Sequence, residues 1–239
     1  MSDFKEVYLL DAGNTHIKLG ISQNGVIQEV ERFNKGELPI AKLHRNIPIA
    51  FSSVIEESLK DELHRYFETT FEITPMLSFP FKMAYESPHT LGMDRLCNAA
   101  AISRLHQGKA RLAIDLGTCI KFDFVDAQNN YLGGSISPGL QMRAKAMAHF
   151  TEKLPEILIQ ANSKLIGTNT QSCLEIGTYL GWQKKIEGLV QAYIDLEPEL
   201  IVYLTGGDAS YFDLGQKNGI FVHENLTLEG ILALYQANE

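Results

Sequence analysis

Apolar residues dominate from Val7 to Ala12, and the run ends at Asp11 and Gly13, which reads as a short buried strand entering a tight turn. From Thr15 to Ile21 the pattern alternates. His16, Lys18 and Gly20 fall on one face and Ile17, Leu19 and Ile21 on the other, predicting a second strand with one buried face. Gln23-Asn24-Gly25 predicts a hairpin turn, because Asn and Gly tolerate positive φ, and Val26 to Phe33 supplies a third strand. The chain therefore opens with a three-stranded meander.

The same plan returns further along. Arg111 to Gly117 is an apolar run ending in Asp115 and Gly117, residues 119–126 alternate, residues 127–130 (AQNN) turn, and 131–139 form a third run. Both first turns carry Asp-x-Gly with a threonine close behind, so the meander is an internal repeat. After the first meander come a strand in IPIAFSSV (47–54), an amphipathic helix in EESLKDELHRYF (56–67) and an alanine-rich helix in GMDRLCNAAAISRLH (92–106). After the second come helices over 140–154 and 170–194. A strand then breaks at the double glycine of LTGGDA (204–209), and a closing helix covers 226–236. No Ser/Pro-rich linker separates the repeats. The expected organisation is α/β, with two similar halves at 1–109 and 110–239.

Composition narrows the field. A chain of 239 residues with 45% apolar content can bury a substantial core. A net charge of −8 argues against a dedicated nucleic-acid binder, which would show a basic surface. Cys97, Cys119 and Cys173 lie far apart without CxxC spacing, which fits a reducing compartment better than a disulfide or zinc framework. Asp3 and Glu6 precede a short apolar run, unlike the basic start of a signal peptide, and no stretch is long enough to span a membrane. A soluble cytoplasmic protein is expected.

The repeated turns carry the candidate chemistry. A strand, a glycine turn and a second strand can point several backbone N–H groups into one concavity suited to phosphate oxygens. Asn14 and Thr15 add donors and Lys18 adds positive charge, while Asp11 is suited to a divalent metal that bridges phosphates. Taken singly, DAGNT also serves as an Asx-type turn without chemistry, and Lys18 as a solvated strand lysine. Neither a GxxxxGK[ST] loop nor a strand-following GxGxxG occurs. Gly206 and Gly207 can admit a flat adenine near the backbone, or simply turn the strand into a helix.

DAGNTHIK (11–18), LGMDR (91–95), DLGT (115–118), GGSISPGL (133–140), EKLP (152–155), GTNT (167–170) and LTGGDA (204–209) occur in an order and spacing that resemble type III pantothenate kinases. That family lies within the acetate-and-sugar-kinase, Hsp70 and actin superfamily, and the likeness runs from about residue 7 to 235. The resemblance implies two ribonuclease-H-like halves, each a mixed sheet flanked by helices, with ATP in the cleft between them. It implies phosphorylation of the primary hydroxyl of pantothenate, the first step toward coenzyme A.

It further implies roles for individual residues. Asp94 would be the general base, at a helix start where the dipole favours its ionised form. Arg95 would hold the substrate carboxylate, with Tyr85, Gly92 and Met93 beside it and Thr170 contributing across a homodimer interface. Asp11, Gly13, Asn14, Thr15, Lys18, Thr118, Gly206 and Gly207 would contact ATP, with Mg²⁺ near Asp11 and K⁺ or NH₄⁺ at Asp115. Without the resemblance Asp94 reads as an ordinary N-terminal helix acid, Arg95 as a solvated charge and Thr170 as a helix cap.

There are departures: His16 occupies a variable position of the first motif, and Cys119, Ile120 and Lys121 follow DLGT where small and hydroxyl residues are usual. Lys121 adds charge near the phosphates or points to solvent. The alternatives are another small-molecule kinase of the superfamily, or a non-catalytic ATP-binding regulatory relative. Neither nucleic acid nor membrane is an expected partner.

Overall fold

Both meanders form, and each supplies three adjacent strands of a sheet. The structure, a computed structural model, describes residues 6–13, 16–52, 55–159, 164–212 and 219–239. The chain clusters into two compact units, residues 1–107 with 129–132 and 225–239, and residues 108–128 with 133–224.

In the first unit, β1 (Glu6–Ala12) and β2 (His16–Gln23) pair antiparallel, with Asp11 opposite Lys18. β3 (Val26–Asn34) follows across the Asn24-Gly25 turn and is mostly exposed, as an edge strand with little to cover it. β4 (Ile49–Ser52) is fully buried and runs parallel to β1. After helix α1 (Glu57–Tyr66), β5 (Thr70–Ile73) runs parallel to β4, completing the order β3-β2-β1-β4-β5. Tyr8, Leu10, Ile17, Leu19, Ile49, Phe51 and Leu63 make the core of this sheet and α1. β6 (Lys82–Met83) precedes α2 (Met93–Arg104), in which Ala99, Ala100 and Ala101 are buried.

The second unit repeats the plan. β7 (Arg111–Leu116) pairs antiparallel with β8 (Cys119–Val125), setting Lys121 opposite Asp115. β9 (Asn130–Pro138) lies next to β8; its first residues cluster with the first unit, where Asn130 and Tyr131 pair with β6. Helices α3 (Leu140–His149) and α4 (Thr170–Leu196) follow, and then β10 (Ile201–Thr205), parallel to β7. β11 (Ile220–Val222) runs parallel to β10, so the order β11-β10-β7-β8-β9 mirrors the first sheet. The core of this unit closes around Trp182, whose ring meets Phe212 edge-on at 5.5 Å.

Two elements differ from the reading above. α3 stops at His149 rather than continuing to residue 154. Pro155 disfavours helical backbone just before it, and Phe150, 82% exposed, finds no apolar surface to continue along. Asn169, not Thr170, caps α4: its side chain accepts from Ser172 N at 2.8 Å, and Ser172 Oγ accepts from Asn169 N at 3.1 Å. Among the described residues no helix is long and apolar enough to cross a membrane.

The last helix, α5 (Leu226–Ala237), belongs to the first unit, where it packs on α2 and on β1, β4 and β5. The alanines of α2 allow the two helices to approach until Gly230 faces the carbonyl of Cys97 with no room for a Cβ. Thr227 and Asn98 bond beside that contact at 3.2 Å, and Arg104 Nη1 donates to Gln236 Oε1 at 2.6 Å farther along. Gly230→Ala must push the helices apart. It is expected to cost about 3 kcal/mol or more, read as a lower urea midpoint with unchanged slope. A midpoint equal to wild type would mean the helices are not in backbone contact.

Candidate active site

The second Asp-x-Gly turn is the better enclosed of the two. Gly117 N–H donates to the Cys119 carbonyl at 3.2 Å, closing a turn that leaves Thr118 exposed between β7 and β8. Two later motifs come to this turn. Gly139, the residue before α3, donates its N–H to the Thr118 carbonyl at 3.0 Å. No side chain caps α3, so its N-terminal N–H groups and dipole begin beside the turn, an arrangement suited to anions.

Gly206 approaches from the end of β10 with φ 96°, and a Cβ there would sit 2.6 Å from Asp115 Oδ1 and overlap the Leu116 carbonyl. Only glycine meets both conditions. SPG and TGG are therefore the pieces of backbone that close around DLGT.

Asp115 is held inside this enclosure by Lys121. Nζ donates to Oδ2 at 2.7 Å, and the two side chains are only 15% and 13% exposed. A second acid stands close. The carboxyl of Asp208, in the short helical turn 207–211, is pushed above its ordinary range by burial first and by the charge of Asp115 second.

In the first unit the corresponding turn closes by Gly13 N–H donating to the His16 carbonyl at 3.0 Å. It is one residue longer than the second turn, and Asn14 and Thr15 lie outside the described residues. Asp11 and Gly13 line a cavity of about 330 Å³, together with Gly92, Met93 and Asp94 at the start of α2. That volume lies within the range of small-molecule sites.

Asp94 sits in the first turn of α2, where Oδ1 accepts the Arg95 N–H at 2.8 Å. The same Oδ1 lies 2.7 Å from where a Gly92 Cβ would be, so glycine at 92 leaves space for the carboxylate. Apolar walls come from Ile17, Leu38, Ile40 and Ile55. Lys35, ion-paired to Glu56 at 3.3 Å, and Glu62 add charge that the motifs did not mark, since they lie in a loop and on α1 without distinctive spacing.

Arg95 and Tyr85 are brought together, though they are not part of that lining. Arg95 is buried, its guanidinium carbon 5.9 Å from the centroid of the Tyr85 ring, which in turn packs on Tyr131. Thr170 stands exposed at the first position of α4. Lys18 lies on β2 opposite Asp11.

Among the described residues, no group of three or more His, Cys, Asp or Glu is placed to hold a metal ion. A Mg²⁺ carried in with phosphates needs only one or two carboxylates, so Asp11 at the cavity wall fits that role. Asp115 fits a bound cation poorly, because the Lys121 ammonium already bonds its Oδ2.

The β3-β2-β1-β4-β5 order of the first sheet returns in the second as β9-β8-β7-β10-β11. Solved structures share the fold. A Campylobacter jejuni protein assigned to the Baf family of transcriptional activators matches with a TM-score of 0.63 at 20% identity, over 97% of this chain and 98% of its own. The inorganic polyphosphate/ATP-glucomannokinase of Arthrobacter matches at 0.51 and 13% identity, over 97% and 99%. At these identities the likeness concerns the fold.

Sequence comparison goes further. The profile of the type III pantothenate kinase family matches residues 7–192. A Christiangramia forsetii protein named type III pantothenate kinase is 34% identical over 238 residues, 97% of this chain and 98% of that protein. The chain belongs to the type III pantothenate kinase family.

The crowding of Asp208 and Asp115 has a consequence for stability. The raised Asp208 carboxyl binds its proton more tightly when folded. Its contribution therefore weakens as pH rises from the ordinary carboxylate range through the raised folded value. Asp208→Asn, which does not titrate, is expected to be more stable than wild type at about pH 8 and to lose that advantage near pH 4. Denaturant midpoints at both pH values test this. An advantage that grew toward low pH would reverse the assignment.

Proposed function

We propose that this protein transfers the γ-phosphoryl group of ATP to the primary hydroxyl of pantothenate, releasing ADP and 4'-phosphopantothenate. The observation that carries the reading is the convergence of Asp11 and Asp94 on one cavity of the first unit. One carboxylate comes from the phosphate-type turn and the other from the acceptor motif.

In the reaction, the hydroxyl oxygen forms a bond to the γ-phosphorus as the bridging bond to the β-phosphate breaks. Asp94 accepts the hydroxyl proton. In a loose transition state early deprotonation contributes little, so Asp94 acts chiefly by orienting the hydroxyl, and its hydrogen bond from Arg95 N steadies that carboxylate. Arg95, stacked over Tyr85, offers a fixed guanidinium to the pantothenate carboxylate, with Gly92 and Met93 lining the approach.

ATP is assigned to Asp11, Gly13, Asn14, Thr15, Lys18, Thr118, Gly206 and Gly207. Asp11 would hold Mg²⁺ carried in with the phosphates, and the ion would supply charge neutralisation there. A homodimer with Thr170 at its interface, a cytoplasmic location, and functional halves at 1–109 and 110–239 belong to the same reading. The K⁺ or NH₄⁺ that the resemblance assigns to Asp115 is left out of this reading, because Lys121 already bonds that carboxylate.

Coupled measurement of ADP release, with and without pantothenate, tests the proposal. Pantothenate-dependent release is expected, and Asp94→Asn is expected to lower kcat by about 10²–10⁴-fold with KM changed little. Release driven by a different alcohol but not by pantothenate would discard the substrate. Full activity in Asp94→Asn would discard the base.

A further inference from the structure

The carboxylate that the family resemblance assigns to a monovalent cation is already bonded to a cation that the chain itself provides. Lys121 Nζ meets Asp115 Oδ2 at 2.7 Å, with both side chains largely withdrawn from water. The pair is fixed by the fold rather than by chance rotamers, because β7 and β8 place the two residues directly opposite each other. The first hairpin shares the register, with Lys18 opposite Asp11. A lysine across from the turn aspartate is thus part of the repeated unit in this chain.

Charge balance gives the pair a consequence. Asp115 presses against the Gly206 turn, and Asp208 follows that turn two residues on, so two acids stand at one enclosed place. Such a place calls for one positive charge. A hard monovalent ion satisfies it by taking carboxylate and carbonyl oxygens as ligands. A lysine ammonium carries the same single charge and donates hydrogen bonds to the same kind of oxygen.

We infer that Lys121 is a built-in replacement for the monovalent cation, so that this protein's activity does not depend on K⁺ or NH₄⁺. Removing the ammonium leaves the Asp115 carboxylate enclosed without its counter-charge, and the vacated position is then able to take the ion from solution. The functional part of this inference rests on the kinase reading above; the ion-binding part does not.

The test compares wild type, Lys121→Met and Lys121→Arg in KCl and in choline chloride at equal ionic strength. Pantothenate-dependent turnover is one readout, and the thermal midpoint of the free protein is the other. Wild type is expected to show the same rate and midpoint in both salts. Lys121→Met is expected to lose about tenfold or more in rate in choline and to regain most of it in KCl or NH₄Cl, with a midpoint that rises with KCl. Lys121→Arg, which keeps the charge, is expected to stay independent of the salt.

Crystals soaked in thallium(I), a stand-in for K⁺, are expected to show the ion at Asp115 in Lys121→Met and not in wild type. Wild-type activity that falls severalfold in choline overturns the inference, as does thallium beside Asp115 in wild type. A Lys121→Met enzyme slowed equally in every salt also overturns it, and assigns Lys121 to the phosphates instead. If pantothenate supports no turnover while midpoints and thallium behave as described, the ion replacement stands and the substrate assignment fails.

Discussion

Each sheet of this protein is organised around a hairpin whose turn begins with an aspartate and a glycine and whose second strand sets a lysine opposite that aspartate. The constraint is one of space and charge together. A tight turn brings backbone N–H groups close, the glycine removes the side chain that would obstruct them, and the cross-strand lysine offsets a carboxylate that would otherwise face the enclosure alone. In the second unit the rest of the structure conforms to this arrangement. Gly206 at the end of β10 and Gly139 at the start of α3 both press backbone against the turn. Neither position tolerates a side chain without displacing the turn itself.

In the first unit the same hairpin serves a different surrounding. Its aspartate faces a cavity rather than a second glycine turn, and the far wall is the start of α2 with Asp94. α2 is held in place by α5, a helix from the end of the chain that reaches backbone contact at Gly230. The position of the proposed base therefore depends on a glycine in a helix more than 130 residues away in sequence, a link visible only in three dimensions.

Much of this was legible in the sequence, for identifiable reasons. The meanders announce themselves through alternation and Asn-Gly or Asp-x-Gly turns, signals that depend on local stereochemistry and survive without tertiary information. Helices α1, α2, α4 and α5 follow from apolar patterning over ten or more residues. The short strands β5, β6 and β11, of two to four residues, offer too few positions for any period to show, and exist because a neighbouring strand presents an open edge.

The site divides similarly. Motifs located Asp11, Asp94, Asp115 and the glycines, because a turn or helix start demands those residue types. They did not decide between phosphate and solvent for Lys121, since whether a strand lysine meets a carboxylate depends on register and burial. Asp208 escaped notice for the same reason, being unusual only through what lies next to it.

The central claim is that the enclosed turn at Asp115–Thr118 holds phosphate oxygens of ATP. Thr118 tests it most directly, because it is exposed and its replacement leaves the packing around the turn intact. Calorimetric affinity for a non-hydrolysable ATP analogue, compared between wild type and Thr118→Val, is the measurement. A loss of about tenfold or more, the value of a hydrogen bond to a charged group, is the result the account predicts. An unchanged affinity, with the variant folded as wild type, would contradict it and move the nucleotide away from this turn.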